Sequence, residues 1–284
     1  MVAFLGTGLL GAGFIKALLN KGQEVHIWNR SADKAKALES VGAQAFTDAK
    51  DAVKGARLVH IALSDDKAVD DVLSQASAGL DKKTIIIDHT TTTPEGAARR
   101  VQEWKDKGYA FIHAPVFMGP QNALEGTGTM LISGDQEVIK KIEGDLSPMT
   151  GKLVNLGDKP DKAAGMKLMG NLFLISMVGG LIDMLALAKS VGISVDEAGG
   201  LLEMWNPAAM LPARMKRIAT GKFNEPSWHL SMARKDARLM METAAKANVN
   251  LMVIPGMAQA MDKLIAEGHS NDDWMIIAKD AVNR

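Results

Sequence analysis

Apolar residues recur along the first part of the chain in short runs, separated by segments of helical period. Val2-Ala3-Phe4-Leu5 reads as a compact strand, and the stretch from about Gly11 to Asn20 places its apolar residues on one helical face. Gly22 stands just past that helix, where a C-cap glycine belongs. Glu24-Val25-His26-Ile27-Trp28 predicts a second strand, and Ser31 an N-cap for a helix over about Asp33 to Ser40. Leu58–Leu63, Thr84–Asp88, Tyr109–His113 and Thr129–Ser133 predict further strands. Several of these are apolar at every position instead of alternating. Both of their faces must then be buried, as in a parallel sheet covered by helices.

The pattern changes after Gly157-Asp158-Lys159-Pro160. A long apolar helix is predicted from near Asp161 to about Ser190. Further helices follow near Val195–Trp205, Ala208–Thr220, Ser231–Ala247, Pro255–Glu267 and Asp272–Val282. No strand of comparable quality follows, so the expected domains are 1–160 and 161–284, with the long helix joining them. The most apolar segment, Leu172 to Ala188, carries Asp183 and a Gly179-Gly180 pair and is short for a bilayer span. It reads as a buried helix, and no membrane association is expected. The second half is rich in methionine, including Met166, Met169, Met177, Met204, Met210 and Met215. Core gap-filling is the expected role, with an adaptable subunit interface as the alternative.

Composition narrows the class. Lys+Arg and Asp+Glu both number 33, and no block of like charge appears, so a nucleic-acid partner is not expected. There is no cysteine, which excludes disulfides, thiolate catalysis and cysteine-based zinc sites. No metal-ligand spacing is visible among the six histidines. The first residues do not read as a secretory leader, and the lack of cysteine fits a reducing compartment, so a cytoplasmic location is expected.

Gly6-Thr7-Gly8-Leu9-Leu10-Gly11 is a G-x-G-x-x-G that follows a strand, opens a helix and starts a unit of strand, helix and strand. The first glycine permits the tight turn, the second lets backbone approach a pyrophosphate, and the third lets helix and strand pack closely. The helix start offers free N–H groups and a positive dipole end. The expected fold is therefore α/β, a Rossmann-type doubly wound parallel sheet followed by an all-α domain. The end of the second strand distinguishes the two dinucleotides. An acidic residue there would accept from ribose hydroxyls, whereas this chain has Asn29-Arg30-Ser31. An arginine and a hydroxyl suit a 2′-phosphate, so NADP(H) is the expected cofactor.

Several segments then match one family. The fingerprint from Phe4 to Gly11, Asp88-His89-Thr90-Thr91-Thr92-Thr93-Pro94, His113-Ala114-Pro115-Val116-Phe117-Met118-Gly119 with Ala123 and Gly126-Thr127, Gly165-Met166-Lys167-Leu168-Met169-Gly170-Asn171, and Lys235-Asp236 occur in that order. In this the chain resembles the β-hydroxyacid dehydrogenases, which include 3-hydroxyisobutyrate dehydrogenase and the glyoxylate/succinic semialdehyde reductases. The resemblance implies a catalytic Lys167, with Asn171 placing substrate or lysine. It implies cofactor contacts from Thr91, from the loop of Leu63 and Ser64 on to Lys67, and from Lys235. It also implies a substrate pocket at Thr90, Phe117, Met118 and Gly119, and a homodimer or homotetramer with the long helix near the interface.

The residues support the central pair independently. Lys167 and Asn171 are four apart on a helix and share a face. Among apolar neighbours, desolvation would lower the lysine's pKa into a range useful for proton transfer. Periodicity alone equally allows a lysine that snorkels with its ammonium in solvent. The departures from the family concern the substrate. The family usually has Asp where this chain has His113, and Ser-Gly-Gly, which holds a substrate carboxylate, where it has Phe117-Met118-Gly119. The expected reaction is hydride transfer between NADPH and a small carbonyl compound or β-hydroxyacid. Imine reduction in an apolar pocket is the alternative, and a non-catalytic NADPH-binding protein is a third reading.

Overall fold

The computed structural model describes residues 1–282. Six strands form a parallel sheet in the order β3-β2-β1-β4-β5-β6. They are β1 (Val2–Leu5), β2 (Val25–Trp28), β3 (Gln44–Phe46), β4 (Leu58–Ile61), β5 (Ile85–Asp88) and β6 (Ala110–His113). The helices between them are α1 (Leu9–Asn20), α2 (Ala32–Lys36), α3 (Ala49–Ala52), α4 (Asp66–Ala76) and α5 (Pro94–Asp106). The uninterrupted apolar character of the strands has the expected cause. Phe4, Leu58 and Ile87 enter a core on one face of the sheet, with Phe14 and Ile15 of α1. Ala3, Leu5, Val59, Ile61 and Ile86 enter a second core on the other face, with Val69 and Leu73 of α4.

A smaller sheet of β7 (Val116–Phe117), β8 (Thr129–Ile132) and β9 (Lys152–Asn155) follows, with β7 antiparallel and β9 parallel to β8. Between them lie α6 (Pro120–Glu125) and α7 (Gln136–Leu146). The hydrophobic pattern does not predict β7 or β9. Two residues are too few to show a period, and both ends of β9 are exposed.

The chain divides into two compact units, Met1–Asn171 and Leu172–Arg284. The division falls inside α8 (Lys162–Ser190). The first turns of α8 pack on the first unit, with Gly165 against Pro94 and Gly170 against Phe117. Lys167 and Asn171 therefore belong to the same unit as the parallel sheet.

The second unit is helical, with α9 (Val195–Met204), α10 (Leu211–Thr220), α11 (Leu230–Lys246), α12 (Ile254–Ala266) and α13 (Lys279–Val282). Phe223, Leu230, Met261, Leu264 and Ile276 form its core. Buried Asp183 accepts hydrogen bonds from the N–H groups of Met252, Val253 and Ile254 at the start of α12. Burial alone would raise its carboxyl pKa, but the three N–H donors outweigh burial and hold it below the usual value.

Two expectations fail in this unit. The apolar stretch of α8 is not buried: Leu172 is 67% and Ile175 72% exposed. Its apolar residues run round the whole circumference, so the helices of one chain cover only part of it. The methionines are not mainly core filler either. Met169, Met177, Met204, Met210 and Met215 are exposed, while Met261 is buried.

Candidate active site

The strand order turns back between β1 and β4, and there the loops after the strands' carboxyl ends part to leave a crevice. A cleft of about 580 Å³ occupies it, lined among others by Gly8, Leu9, Leu10, Gly11, Asn29, Arg30, Ser31, Leu63, Ser64, Thr90 and Thr91. The structure thus brings together most of the residues assigned to the cofactor, with Gly6 and Thr7 in the same turn.

Gly6 has φ +106°, and a Cβ there would stand 2.2 Å from the Ala62 carbonyl oxygen, so only glycine fits. A Cβ on Gly11 would stand 2.1 Å from the Gly6 oxygen. Gly8 differs, because a Cβ there would meet no protein atom within 4 Å. Its missing side chain opens the cleft, not the protein interior. No side chain caps α1 and no acidic residue lies in its first turn. The first helical bond at that end runs from the Ala12 N–H to the Gly8 carbonyl at 2.8 Å. The earlier N–H groups are left for an anion. The buried Thr7 hydroxyl also has no partner. These features fit a dinucleotide pyrophosphate.

At the end of β2, Asn29 is fully engaged in the loop. Its Oδ1 accepts from the Thr7 N–H at 3.0 Å and its Nδ2 donates to the Ser31 carbonyl at 3.0 Å. Ser31 does not cap α2 as expected: its hydroxyl bonds no helix N–H, and the Lys34 N–H pairs with its carbonyl at 3.0 Å. The Ser31 hydroxyl and the Arg30 guanidinium are exposed at the cleft mouth. Lys34 lines the same mouth and the sequence reading missed it. Its signal is a third basic or hydroxyl residue one turn after Arg30-Ser31.

The inner rim is braced by hydrogen bonds. Thr90 is buried and its Oγ1 accepts from the Leu63 N–H at 3.0 Å, so it ties the loop after β4 to the loop after β5. Thr91 is exposed on the cleft. Asp66 accepts from the Thr93 N–H at 2.9 Å and from Arg100 at 2.7 Å, joining α4 to α5. Arg100 is fully buried and also meets Asp70 at 3.3 Å.

Beneath the rim lies a buried polar cluster that the sequence reading did not assign. The His60 and His89 rings are 3.0 Å apart at Nδ1 and Nε2, and His89 Nδ1 is 2.7 Å from the Ala114 carbonyl. That carbonyl requires the proton on His89 Nδ1, so His60 donates to His89 Nε2. Both rings pack with Phe4. Burial pushes His89 down to about 4. His60 is lowered well below its usual value by burial first, then by the charges of His89 and Arg57. Fully buried His113 lies 3.4 Å from Asp88 Oδ2, close but without hydrogen-bond alignment. Burial would raise the Asp88 carboxyl, but His113 and the Thr90 N–H hold it below the usual range.

Lys167 is only 9% exposed, so the snorkelling alternative fails. Its Nζ donates to Asn171 Oδ1 at 3.0 Å and stands 4.4 Å from the centre of the Phe117 ring. Desolvation lowers its pKa. Of the expected pocket residues, Phe117 meets the lysine. Met118 packs against the sheet core, and Gly119 starts α6, its N–H donating to Asn122 Oδ1 at 2.9 Å. Lys235 lies on α11 of the helical unit, exposed and 2.8 Å from Asp236.

Comparison with known proteins finds a match to each half of the chain. Residues 1–157 match the family described as the NAD binding domain of 6-phosphogluconate dehydrogenase. Residues 162–282 match the NADPH-dependent reductive aminase-like C-terminal domain. The cytokine-like nuclear factor N-PAC of Drosophila melanogaster is 26% identical over 255 residues, which take in 88% of this chain and 42% of that protein. The chain thus spans less than half the length of that relative. The NAD-dependent L-serine dehydrogenase of Pseudomonas aeruginosa is 25% identical over 297 residues, covering 98% of this chain and 96% of the relative. An imine reductase from Myxococcus stipitatus, solved in complex with NADP+, superposes with a TM-score of 0.91 at 18% identity, covering 98% of this chain and 99% of that one. With this match over more than half its length, the chain belongs to the family described as the NAD binding domain of 6-phosphogluconate dehydrogenase, and its fold is that of the imine reductase structure.

Proposed function

We propose that the chain reduces a small, largely uncharged carbonyl compound with NADPH, Lys167 supplying the proton, and that it oxidises the alcohol in the reverse direction. The observation that carries this reading is the buried Lys167 ammonium, held between Asn171 Oδ1 and the Phe117 ring. The dinucleotide, when bound, supplies the hydride. Charge then develops on the substrate oxygen, and the ammonium can donate to it. In reverse, neutral Lys167 accepts the alcohol proton, and desolvation brings its pKa toward the working range. Asn171 accepts from the ammonium and fixes its direction.

NADPH is favoured by the cleft mouth. Arg30, Ser31 and Lys34 offer two cations and a hydroxyl, and β2 ends without a carboxylate. The substrate reading comes from Phe117, which cannot donate to a carboxylate. A buried carboxylate without donors is destabilised by several kcal/mol. One set of assays tests both points: kcat/KM with NADPH and with NADH, for the wild type and Arg30→Asp, over matched carbonyl substrates with and without a carboxylate. NADPH should be preferred, and the preference should fall at least ~10-fold in the variant, because a charge-assisted phosphate contact is replaced by repulsion. The uncharged substrates should show the higher kcat/KM. Equal use of both dinucleotides by the wild type, or a clear preference for the acid, would count against the respective part.

Imine reduction is the second reading. It is favoured by the reductive aminase-like match of the second half and by the same aromatic wall. A cyclic imine in the substrate set separates the two.

A second copy of this chain is the proposed cover for α8. By length and composition this helix is apolar enough to cross a membrane, but Lys167 and Asp183 are buried in polar contacts within the chain. Beside it lies an apolar hollow of about 600 Å³ lined by Met184, Leu187, Leu201, Leu239 and Met240. Light scattering of the purified protein in detergent-free buffer should give at least twice the chain mass. A monomer that stays soluble would rule this cover out.

A further inference from the structure

The contact between Phe117 and α8 is unusually close, and a missing side chain makes it possible. A Cβ built on Gly170 would stand 2.4 Å from Phe117 Cζ and 2.7 Å from Cε1. Any other residue at 170 would push the ring away. Gly170 lies in the middle of a helix, where glycine is destabilising by roughly 0.5–1 kcal/mol relative to alanine. No turn or positive φ accounts for it there, since Gly170 is not among the glycines with positive φ. What the glycine provides is the seat of the ring. The seated ring presents its face to the Lys167 ammonium, with 4.4 Å from Nζ to the ring centre, well inside the ~6 Å over which a cation is drawn to an aromatic face.

The ammonium has little else to keep it charged. It donates to the neutral Asn171 amide oxygen at 3.0 Å. Desolvation alone accounts for the shift of its pKa, with no charged neighbour contributing. Asp161 and Lys162 at the start of α8, and Glu95 on α5, whose Pro94 lies against Gly165, form no ion pair with it. A group that must enter the reaction protonated therefore sits in a desolvated place without a counter-charge. The negative face of the Phe117 ring is what opposes that desolvation.

We propose that Phe117 is the positioning residue for Lys167: its ring, seated on the helix by the absent side chain of Gly170, keeps the ammonium charged and aimed beside Asn171. This deepens the reading of Lys167 as proton donor and rests on it for its catalytic meaning. The contact itself can be tested without turnover.

The test is the titration of the Lys167 amine, read by acetylation with limiting acetic anhydride across about pH 6 to 11. The peptide containing Lys167 is quantified by mass spectrometry in the wild type and in Phe117→Leu, Phe117→Tyr and Gly170→Ala. Leucine keeps an apolar cover but has no ring face. Its midpoint should fall by ~0.5–1.5 pH units. Tyrosine keeps the face and should titrate as the wild type does. Gly170→Ala retains every atom of Phe117 but unseats the ring, so it should shift in the same direction as leucine. If Phe117→Leu does not fold, as judged by circular dichroism, Gly170→Ala decides. As pH rises, carbonyl reduction should fail as the lysine loses its proton, and the leucine variant should fail at a pH lower by the same amount. Unchanged midpoints in Phe117→Leu and Gly170→Ala would overturn the proposal, as would a tyrosine variant that falls as far as the leucine one. Full turnover by a Lys167→Ala enzyme would instead sink the proton-donor reading, while these midpoints would still report on the contact.

Discussion

Lys167→Ala is expected to lower kcat by about 10²–10⁴, the usual contribution of a positioned general acid, while the affinity for NADPH changes little. The two effects separate because the cleft that fits the dinucleotide is lined by the loops after β1, β2, β4 and β5, whereas Lys167 is held by Asn171 and Phe117 on α8 and β7. On the proposed reading the ammonium donates to substrate oxygen, not to phosphate. Alanine leaves a hole beside the Phe117 ring but no unpaired buried charge, since the Asn171 amide is only part-buried and neutral. Folding should therefore survive the change. Quenching of NADPH fluorescence measures binding, and single-turnover oxidation of bound NADPH measures the chemical step. If binding and turnover fell together, Lys167 would be holding the cofactor. If neither fell, the proton would come from elsewhere.

The second large effect is on stability. Acidification from pH 7 to about 4 should destabilise the parallel-sheet unit by a few kcal/mol through the histidines under the cleft. His89 and His60 are neutral in the fold and lowered mainly by burial, His89 to about 4. Above their ordinary value of 6.5 neither the folded nor the unfolded chain binds the proton, and their contribution to stability is complete. As pH falls below that value the unfolded chain takes up the proton and the folded one does not, so stability drops. The loss from His89 is complete once pH has fallen through its folded value near 4. The hydrogen bonding supplies the structural reason. One proton per ring already satisfies His60 to His89 and His89 to the Ala114 carbonyl, so a further proton on either ring has no acceptor. His60→Phe places a neutral ring beside Phe4 and should remove the His60 share of the pH dependence, leaving that of His89. Urea midpoints at pH 7, 5.5 and 4.5 check it. Parallel losses in wild type and variant would take His60 out of the account.

Much of the fold is legible because its signals are local. Val2–Leu5, the glycine turn and the helix to Asn20 form one continuous pattern, and φ +106° at Gly6 is a demand that a single residue type meets. The apolar strands imply both faces buried, and the alternation of Ala3 and Phe4 between two cores bears that out. Arg30 and Ser31 are legible as candidates for the cleft mouth from the absence of an acid at the end of β2, whereas Lys34 needs the helix geometry that brings it to the same mouth. The Ser31 cap fails because a side chain of capping type at the right position does not by itself make the bond to the helix N–H groups.

The sequence by itself determined the class of this protein: a dinucleotide-binding parallel sheet followed by helices, with Lys167 and Asn171 on one helical face. Those features follow from covalent geometry, from strand and helix periods and from the conformational range of glycine, all of which act within a few residues. Only the tertiary structure decided the rest. It closed β7 against β8, seated Phe117 on Gly170, buried His113 beside Asp88 and left the apolar length of α8 exposed in the single chain. Each of these joins residues distant in the chain or depends on what surface is left over after packing. Such contacts are governed by the shape and volume of the assembled elements, which no local pattern encodes.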